Sequence, residues 1–309
     1  MVNHWHSVSI GVASFDAVSA LWIDRFGFDV EREHAGDDAS LARLWALPSG
    51  SIDHQWWLTC PGQSAGRLHI VQFSTHAGAV RDGAQSFDLC PKNLDVYVDD
   101  IARRVDELRA AGLRFRNDAF SDVVAPDGTH FREIHLPAHD GLNVVLLEVV
   151  GKSLPFTRQG YLGVGPLVTT VPDADAERAF YRELGFEPLA HNVLAGAEIE
   201  RMIGLPAGAT LDVSMLGEPA NPLGEMEIIR YGGTNGADLY PRARAPARGI
   251  LEIHAYVDDP SALAADPPTN AQTSEHIDVG ASLLGRGPVC RLRTPAGFAV
   301  NLWRFSGAA

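Results

Sequence analysis

Short apolar strands and amphipathic helices alternate along the chain in one recurring order. From residue 6 to residue 30, an alternating strand is followed by a helix, a glycine and a second strand. The apolar residues between Phe15 and Phe26 recur at helical spacing, and those between Ile101 and Leu108 do the same. Similar stretches begin near residues 94, 167 and 253. The pattern predicts four copies of a unit with one strand, one helix and three strands.

Local signals mark the ends of the predicted helices. Ser14 and Asp100 precede two of the helices and are expected to cap their first turns. Gly27, Gly112 and Gly185 follow three helices, where a residue of positive φ commonly ends the helix. The fourth helix is expected to be short because Pro260, Pro267 and Pro268 interrupt it.

Apolar runs too short for helices complete each unit and are predicted as strands. In the first unit they cover residues 42–48, 54–60 and 67–73. In the second unit they cover residues 129–137 and 142–150.

The two halves of the sequence resemble each other with a fixed period. Val12 and Val171 are 159 residues apart, and Val98 and Val257 have the same separation. Two independent anchors with one spacing indicate a tandem duplication. We therefore predict two domains of two units each, at residues 1–152 and 160–307, joined by the Gly- and Pro-containing segment 151–160.

Composition restricts the partners of the protein. The formal net charge is −14 and the pI is near 5.2, which disfavours nucleic acid and anionic membranes. A small-molecule partner is therefore expected. Cys60, Cys90 and Cys290 form no disulfide or zinc pattern. The sequence begins without a basic and apolar leader, so a cytoplasmic location is predicted, with a homodimer as the default assembly.

These features together resemble the vicinal oxygen chelate (VOC) superfamily, which includes glyoxalase I, methylmalonyl-CoA epimerase, extradiol dioxygenases and bleomycin-resistance proteins. The resemblance rests on the order of elements, on "FYRELGF" at 180–186, on the "YVDD" strand ends and on "TPAGFAVNLW" at 294–303. It implies an α+β fold in which four βαβββ modules form two incomplete eight-stranded barrels. The four-module layout is similar to that of a type I extradiol dioxygenase.

The resemblance also implies where cavity-facing ligands belong in each module. In the family, one ligand lies near the start of a module's first strand, where this chain has Ser7, Asn93, Pro166 and Glu252. The other lies in a module's last strand, where the matching residues are His69, Glu148, Glu227 and Asn301. In the second module, counting from Gly141 instead of from the end of the last strand would place Val145, and not Glu148, at the ligand position. His6 neighbours the first position, but its offset of one residue directs it to the opposite face of the strand, towards the surface or a helix.

Extradiol dioxygenases hold iron with two histidines and a carboxylate. The corresponding positions in the second half of this chain are Pro166, Glu227 and Asn301, so this ligand triad is missing. We therefore expect no metal cofactor. The alternative is a divalent Fe, Mn or Zn ion, since imidazole and carboxylate suit these metals. Three sets of residues are candidate ligands of such an ion: His69, Glu148 and Glu227; His69, Glu148 and Asp95; or Glu227, Glu252 and His254.

Without a metal, the same groups can act as acids and bases. Burial and like charge raise a carboxyl pKa towards neutrality, as proton transfer requires. The candidate catalytic residues are Glu227, Glu252, His254, His69 and Glu148. The alternative is structural: the carboxylates lie at a solvated barrel mouth or pair with Arg230 and Arg304, and His254 is a hydrogen-bonded strand residue.

Aromatic and polar residues on the same strands are candidate substrate contacts. Trp56 and Trp57 are adjacent on a strand, so one faces the helices and the other the cavity. Trp303 shares a face with Asn301, and Asp95 shares one with Asn93. The predicted substrate-binding set is Trp56, Trp57, Asn93, Asp95, Asn301 and Trp303. Core packing is the alternative for the aromatic members.

The function expected from the sequence is that of an isomerase, epimerase or lyase acting on an apolar or aromatic carbonyl or hydroxylated compound. One alternative is a binding or resistance protein that sequesters such a compound without chemistry. The other is a dioxygenase or glyoxalase with an atypical metal site.

Overall fold

A computed structural model describes residues 2–304 of the chain. The first module contains β1 (Ser7–Val12), α1 (Phe15–Val18) continuing as a π-helical turn (Ser19–Ile23), β2 (Asp29–Ala35), α2 (Ala39–Leu44), β3 (Ile52–Thr59) and β4 (Arg67–Phe73). The second contains β5 (Cys90–Val98), α3 (Ile101–Ala110), β6 (Ser121–Val124), β7 (His130–Pro137) and β8 (Asn143–Val149).

The third module contains β9 (Tyr161–Thr170), α4 (Ala174–Leu184), β10 (Glu187–Ala195), α5 (Ala197–Ile203), β11 (Thr210–Glu218) and β12 (Asn221–Gly232). The fourth contains β13 (Gly249–Val257), α6 (Pro260–Ala265), β14 (Thr273–Val279), β15 (Gly287–Arg293) and β16 (Ala299–Arg304). Each module therefore has the predicted strand, helix and three further strands. The first and third modules add a short helix between their second and third strands.

The helices begin and end where the local signals indicated. Ser14 accepts a hydrogen bond from the Asp16 amide, and Asp100 accepts one from the Arg103 amide. Gly185 ends α4 at a φ of 115°, a conformation that a residue with a Cβ rarely adopts. α6 is a single short helix with Pro260 at its start, as the prolines predicted.

One predicted strand of the first module is wrong. Residues 42–48 were expected to form a strand, but α2 occupies Ala39–Leu44. The Asp38 carboxylate accepts a hydrogen bond from the Leu41 amide at 2.9 Å and caps this helix. The strand of this module is instead the polar and exposed β2. Polar edge strands carry no apolar alternation, so the hydrophobic pattern marked only the beginning of this strand, directly after Gly27.

The sixteen strands form two eight-stranded sheets. The outer sheet, in the order β14-β15-β16-β13-β1-β4-β3-β2, joins the fourth module to the first. The inner sheet, in the order β10-β11-β12-β9-β5-β8-β7-β6, joins the third module to the second. Each sheet therefore combines one module from the first half of the chain with one from the second half. Strand β1 pairs antiparallel with β13, and β5 pairs antiparallel with β9.

The division of the chain at residues 1–152 and 160–307 stays a prediction, and residues 305–307 lie outside the described part. The segment 151–160 contains turns and irregular chain, as a connection would. The predicted α+β fold with four βαβββ modules and two incomplete barrels is confirmed.

The apolar core lies on one face of each sheet, where α1, α3 and α4 pack. Its largest cluster combines side chains of both sheets, such as Ile10, Leu94 and Ile253, with Trp22 and Phe180 of the helices. The opposite faces of the two sheets form two separate surfaces, which we call the outer cup and the inner cup. Among the described helices, none has the length and apolar character needed to span a membrane.

Candidate active site

The inner cup holds a cavity of about 710 Å³. Its floor is formed by β5, β7, β8, β9 and β12, and its sides by β10, β11 and α5. This volume lies within the range of sites for small molecules.

Polar side chains converge on the floor of this cavity from three strands. Strand β5 contributes residues 92, 93, 95 and 97, and the ladder irregularity between Pro91 and Asn93 lets two consecutive residues, Lys92 and Asn93, reach the same cavity. Strands β7 and β12 add carboxylate, imidazole and phenol groups. The titratable residues that line the cavity floor are Lys92, Asp95, Tyr97, Glu133, His135, Glu225, Glu227 and Tyr231.

The carboxyl groups of the floor have raised pKa values. Burial raises the pKa of Glu227 to about 8, and the charge of Glu133 adds to this while Lys92 opposes it. Burial raises the pKa of Glu133 to about 7. Burial, together with the charges of Glu227 and Glu133, raises the pKa of Asp95 well above its ordinary value. Several acids in one low-dielectric cavity cannot all ionise, so protons are shared among them near neutral pH.

Glu225 lies at the side of the cluster and is tied to β5. The Tyr97 hydroxyl donates a hydrogen bond to Glu225 Oε2 at 3.1 Å. Burial raises the pKa of Glu225 to about 7, although this hydrogen bond favours the carboxylate. The cavity therefore contains one further carboxyl group that titrates near neutrality.

A chain of hydrogen bonds fixes the imidazole of His135. The Asn143 side-chain amide donates to Asn93 Oδ1 at 2.7 Å and to His135 Nδ1 at 2.9 Å. An accepting Nδ1 places the proton of a neutral imidazole on Nε2. Burial lowers the pKa of His135 well below its ordinary value, which agrees with this neutral form. Nε2 lies 3.4 Å from Glu133 Oε1 and has no hydrogen-bond partner among the described residues.

The remaining wall is apolar and the mouth is partly closed. Leu147 of β8, Met202 of α5 and Met215 of β11 are among the wall residues. At the rim, the Asn192 side chain donates to Asp127 Oδ2 at 2.9 Å, joining β10 to the turn between β6 and β7. The cavity thus has a polar floor, an apolar wall and a hydrogen-bonded rim.

The outer cup, by contrast, is closed by tryptophans. Trp45 from the end of α2, Trp57 from β3 and Trp303 from β16 are each at most 7% exposed and belong to one apolar cluster. The gap bounded by Trp57, His254 and Trp303 has no room for a water molecule. His6, expected on the opposite face, contacts Trp57 and Tyr256 at the edge of this cup, with ring centroids 5.5 and 4.7 Å apart.

Four polar residues of the outer cup, Ser9, His69, Glu252 and His254, are held by hydrogen bonds within it. The Ser9 hydroxyl lies 2.8 Å from His69 Nδ1 and 2.7 Å from His254 Nε2. Trp45 Nε1 donates to Glu252 Oε1 at 2.6 Å, and Arg291 donates to Glu252 Oε2 at 2.9 Å.

Burial keeps both histidines of the outer cup neutral. It lowers the pKa of His254 to about 3 and that of His69 well below its ordinary value. Near neutral pH these imidazoles therefore serve as hydrogen-bonding groups of a closed core.

The structure divides the predicted site residues into three places. The inner cavity contains Asn93, Asp95 and Glu227. The closed outer cup and its sheet contain His69, Glu252, His254, Trp57, Asn301 and Trp303. Trp56 packs on Phe15 with ring centroids 4.3 Å apart, on the helix side of the outer sheet.

Glu148 also lies on the helix side, where Oε2 accepts a hydrogen bond from the Ile101 amide at 3.2 Å. The register of β5 with β8 places Val145 opposite Asp95, and Val145 lines the cavity. The prediction that Glu148 faces a cavity is therefore wrong. The alternative, which places Val145 at this position of β8, agrees with the observed register.

Sequence reasoning missed Lys92, Glu133, His135 and Glu225. Glu133 and His135 are two residues apart on β7 and share the cavity face, as alternation dictates. This signal is present in the sequence, but it lies on a middle strand of the module, whereas the resemblance implies ligands only on first and last strands. Lys92 reaches the cavity through the ladder irregularity, which no alternation pattern reveals.

The divalent metal that the fold family implies does not fit these residues. Of the family's ligand positions in the inner sheet, Asn93 and Glu227 line the cavity, whereas Pro166 of β9 and Val145 of β8 supply no side-chain ligand. No group of three His, Cys, Asp or Glu side chains within residues 2–304 has an arrangement that could hold a metal ion. Each of the three predicted ligand sets is also divided between the places described above.

Comparisons with known proteins agree on the fold. No family model and no curated protein sequence matches the chain. The structure of glyoxalase I from Zea mays is similar with a TM-score of 0.63 at 13% identity, covering 97% of this chain and 92% of that one. A putative dioxygenase from Bacillus subtilis subsp. subtilis str. 168 is similar with a TM-score of 0.60 at 11% identity, covering 99% and 86%. The chain therefore shares the overall fold of these two proteins, which is the fold that the resemblance in its sequence implied.

Proposed function

We propose that the protein is an enzyme that moves a proton within a small carbonyl or hydroxylated compound bound in the inner cavity, as an isomerase, epimerase or lyase does. The observation that carries this proposal is the carboxyl cluster of Glu133, Glu225 and Glu227 with Asp95 on the floor of one cavity. General acids and bases work best when their pKa values lie near the working pH.

The two central carboxyl groups suit opposite roles. Glu227, with a pKa of about 8, remains protonated near pH 7 and can donate to a carbonyl oxygen. Glu133, with a pKa of about 7, is partly ionised and can remove a proton from the neighbouring carbon. The Nε2–H of His135 is a further donor for a substrate oxygen. We expect rates to rise as Glu133 ionises and to fall as Glu227 ionises, which gives a bell-shaped pH profile.

The wall of the cavity favours a compound with an apolar body. Leu147, Met202 and Met215 offer area for hydrophobic burial, whereas the polar floor accepts one oxygenated end. A small-molecule substrate is therefore the proposed partner. The cytoplasmic location and the homodimer remain predictions.

Hydrogen exchange with solvent tests the proposal. The protein is incubated in D2O with a panel of 2-oxo and phenolic compounds, and mass spectrometry records deuterium uptake and new products. We expect uptake at the carbon beside the carbonyl, reduced roughly 10²- to 10⁴-fold by Glu227→Gln, the range of general acid–base catalysis. Glu148→Gln is the matched control, because Glu148 faces away from the cavity.

Two results would contradict the proposal. Equal uptake by wild type and Glu227→Gln would exclude the carboxyl cluster. Tight binding of a panel compound without exchange or product would instead support a protein that sequesters the compound. The apolar wall and hydrogen-bonded rim of this cavity also suit that function.

A further inference from the structure

Lysine is nearly absent from this chain, and both lysines line the same cavity. Of the 25 Lys and Arg residues, only Lys92 and Lys152 are lysines. Both lie on the inner cavity, Lys92 at its floor and Lys152 at its exposed rim. An amine differs from a guanidinium in its chemistry, because it loses its proton readily when buried and then becomes a nucleophile.

The surroundings of Lys92 favour the neutral amine. Lys92 is 1% exposed, and Nζ contacts the Tyr231 hydroxyl and lies 4.7 Å from the ring centroid. Among residues 2–304, no carboxylate oxygen is recorded within 4.0 Å of Nζ. A buried ammonium without an ion-pair partner is unfavourable. Burial lowers the pKa of Lys92 to about 7, and the charges of Arg81 and Arg116 lower it further, while Cys90 and Glu227 oppose them.

We propose that the Lys92 amine forms a covalent iminium with the carbonyl carbon of an aldehyde or ketone bound in the inner cavity. This inference rests on the proposed function and names its substrate class. It is supported by the position of Lys92 beside the carboxyl cluster, since Asp95, Glu133 and Glu227 each interact electrostatically with its charge.

The neighbouring acids supply the protons that the reaction needs. The Nζ lone pair attacks the carbonyl carbon, the C–N bond forms, and the carbonyl π electrons move to oxygen. One amine proton is transferred to this oxygen, which gives a carbinolamine. A protonated carboxyl group then donates a second proton, the C–O bond breaks and water leaves. The product is the iminium, and the neighbouring carboxylate can then remove a proton from the adjacent carbon.

Reductive trapping on the full chain tests the inference directly. The protein is incubated near pH 7 with benzaldehyde, and separately with phenylpyruvate, in the presence of sodium cyanoborohydride, which reduces an iminium to a stable secondary amine. Intact mass then reports the number of adducts, and peptide mapping assigns them. The chain has only two lysine side chains besides its terminal amine, so the assignment is unambiguous.

We expect one adduct at Lys92, formed at least about tenfold faster than at Lys152, because a pKa near 7 gives a neutral fraction roughly a thousandfold above that of an ordinary lysine. Lys92→Met should abolish this adduct, and Lys152→Met should retain it. The terminal amine, whose ordinary pKa is near 8, is labelled independently and is distinguished by peptide mapping. Labelling of Lys152 in preference to Lys92 in the wild-type protein overturns the inference, whether or not the Lys92 variant folds.

The two proposals fail in distinguishable ways. Deuterium uptake that depends on Glu227, without a Lys92 adduct, would overturn the covalent step and leave proton transfer standing. A Lys92 adduct without deuterium uptake from any compound would support the amine's reactivity and overturn the proposed proton transfer.

Discussion

The inner and outer cups have the same strand plan but opposite interiors. Trp57 lies opposite His69 on the neighbouring strand, and in the inner sheet Met215 lies opposite Glu227 at the same place. Trp303 lies opposite Tyr256, and Leu147 lies opposite Tyr97. Smaller wall residues thus accompany an open cavity, and tryptophans accompany a closed core. In such a duplicated fold, side-chain volume at two wall positions distinguishes the cup that can hold a ligand.

The polar residues of the two cups differ in the same sense. In the outer cup, Glu252 has two hydrogen-bond donors and sits in the closed core. In the inner cup, Asp95 Oδ1 and His135 Nε2 are buried without hydrogen-bond partners among the described residues. Buried polar groups normally have partners, so unpaired ones in a cavity are suited to a ligand. The outer cup also contains buried polar atoms without partners among the described residues, on Ser7, Trp57 and Asn301, but its interior is filled. Only the inner cup therefore offers its unpaired groups to a ligand.

The largest expected effect on stability comes from Glu252→Gln in the outer cup. The change removes the carboxylate that balances the mostly buried Arg291, so we expect the free energy of unfolding to fall by about 3–5 kcal/mol. Denaturant titration measures this loss, and Glu31→Gln at an exposed pair is the control. Exchange activity per folded molecule should be unchanged. A loss of activity without a loss of stability would assign the chemistry to the outer cup.

Trp303→Leu would give the outer cup the residue that the inner cup has at the matching position. The lost burial and the resulting void should lower the free energy of unfolding by about 2–4 kcal/mol. The Trp303 indole also donates to His254 Nδ1 at 3.1 Å, and this hydrogen bond would be lost. Thermal unfolding measures the effect, with Leu147→Ile in the inner cup as the comparison. An unchanged midpoint would show that Trp303 does not fill the outer cup.

Met215→Trp is the reverse change and should narrow the inner cavity. Met215 is only half-buried on the cavity wall, so the larger side chain has room and the fold should persist. We expect affinity for a bound carbonyl compound to fall at least about tenfold, equal to roughly 1.4 kcal/mol. Isothermal titration measures this, and Met215→Leu is the matched control. Undiminished binding would place the ligand elsewhere.

The last prediction concerns the pH dependence of stability. Burial raises the pKa of Glu227 from 4.5 to about 8, so the folded protein binds more protons than the unfolded chain between these values. The free energy of unfolding should therefore fall as pH rises through this interval. Glu227→Gln should flatten this pH dependence, because glutamine does not titrate and each pKa unit of the difference corresponds to about 1.4 kcal/mol. Identical pH profiles for the two proteins would contradict a buried, proton-binding Glu227.

The fold could be predicted from the sequence for two reasons. The hydrophobic pattern of each module depends on neighbouring residues, and the period of 159 residues can be read directly from the sequence. The pairing of modules could not be predicted, because the apolar alternation of β1 is compatible with either β5 or β13 as its neighbour. Contacts across the whole sheet decide between them. The site was predicted in part for a similar reason: Asn93, Asp95 and Glu227 follow strand alternation, whereas Glu148 depended on a register that the sequence leaves open.

Because the first module pairs with the fourth and the second with the third, the two sheets can form only in a certain order during synthesis. Residues 90–232 contain every strand of the inner sheet, so this sheet can assemble as soon as they have left the ribosome. The first module waits with β1 as an unpaired edge until β13 emerges more than 230 residues later. Such distant pairing slows folding and exposes a strand to aggregation in the meantime. A chain that lacked its last sixty residues would have every strand of the inner sheet, but β1 would remain an unpaired edge open to aggregation.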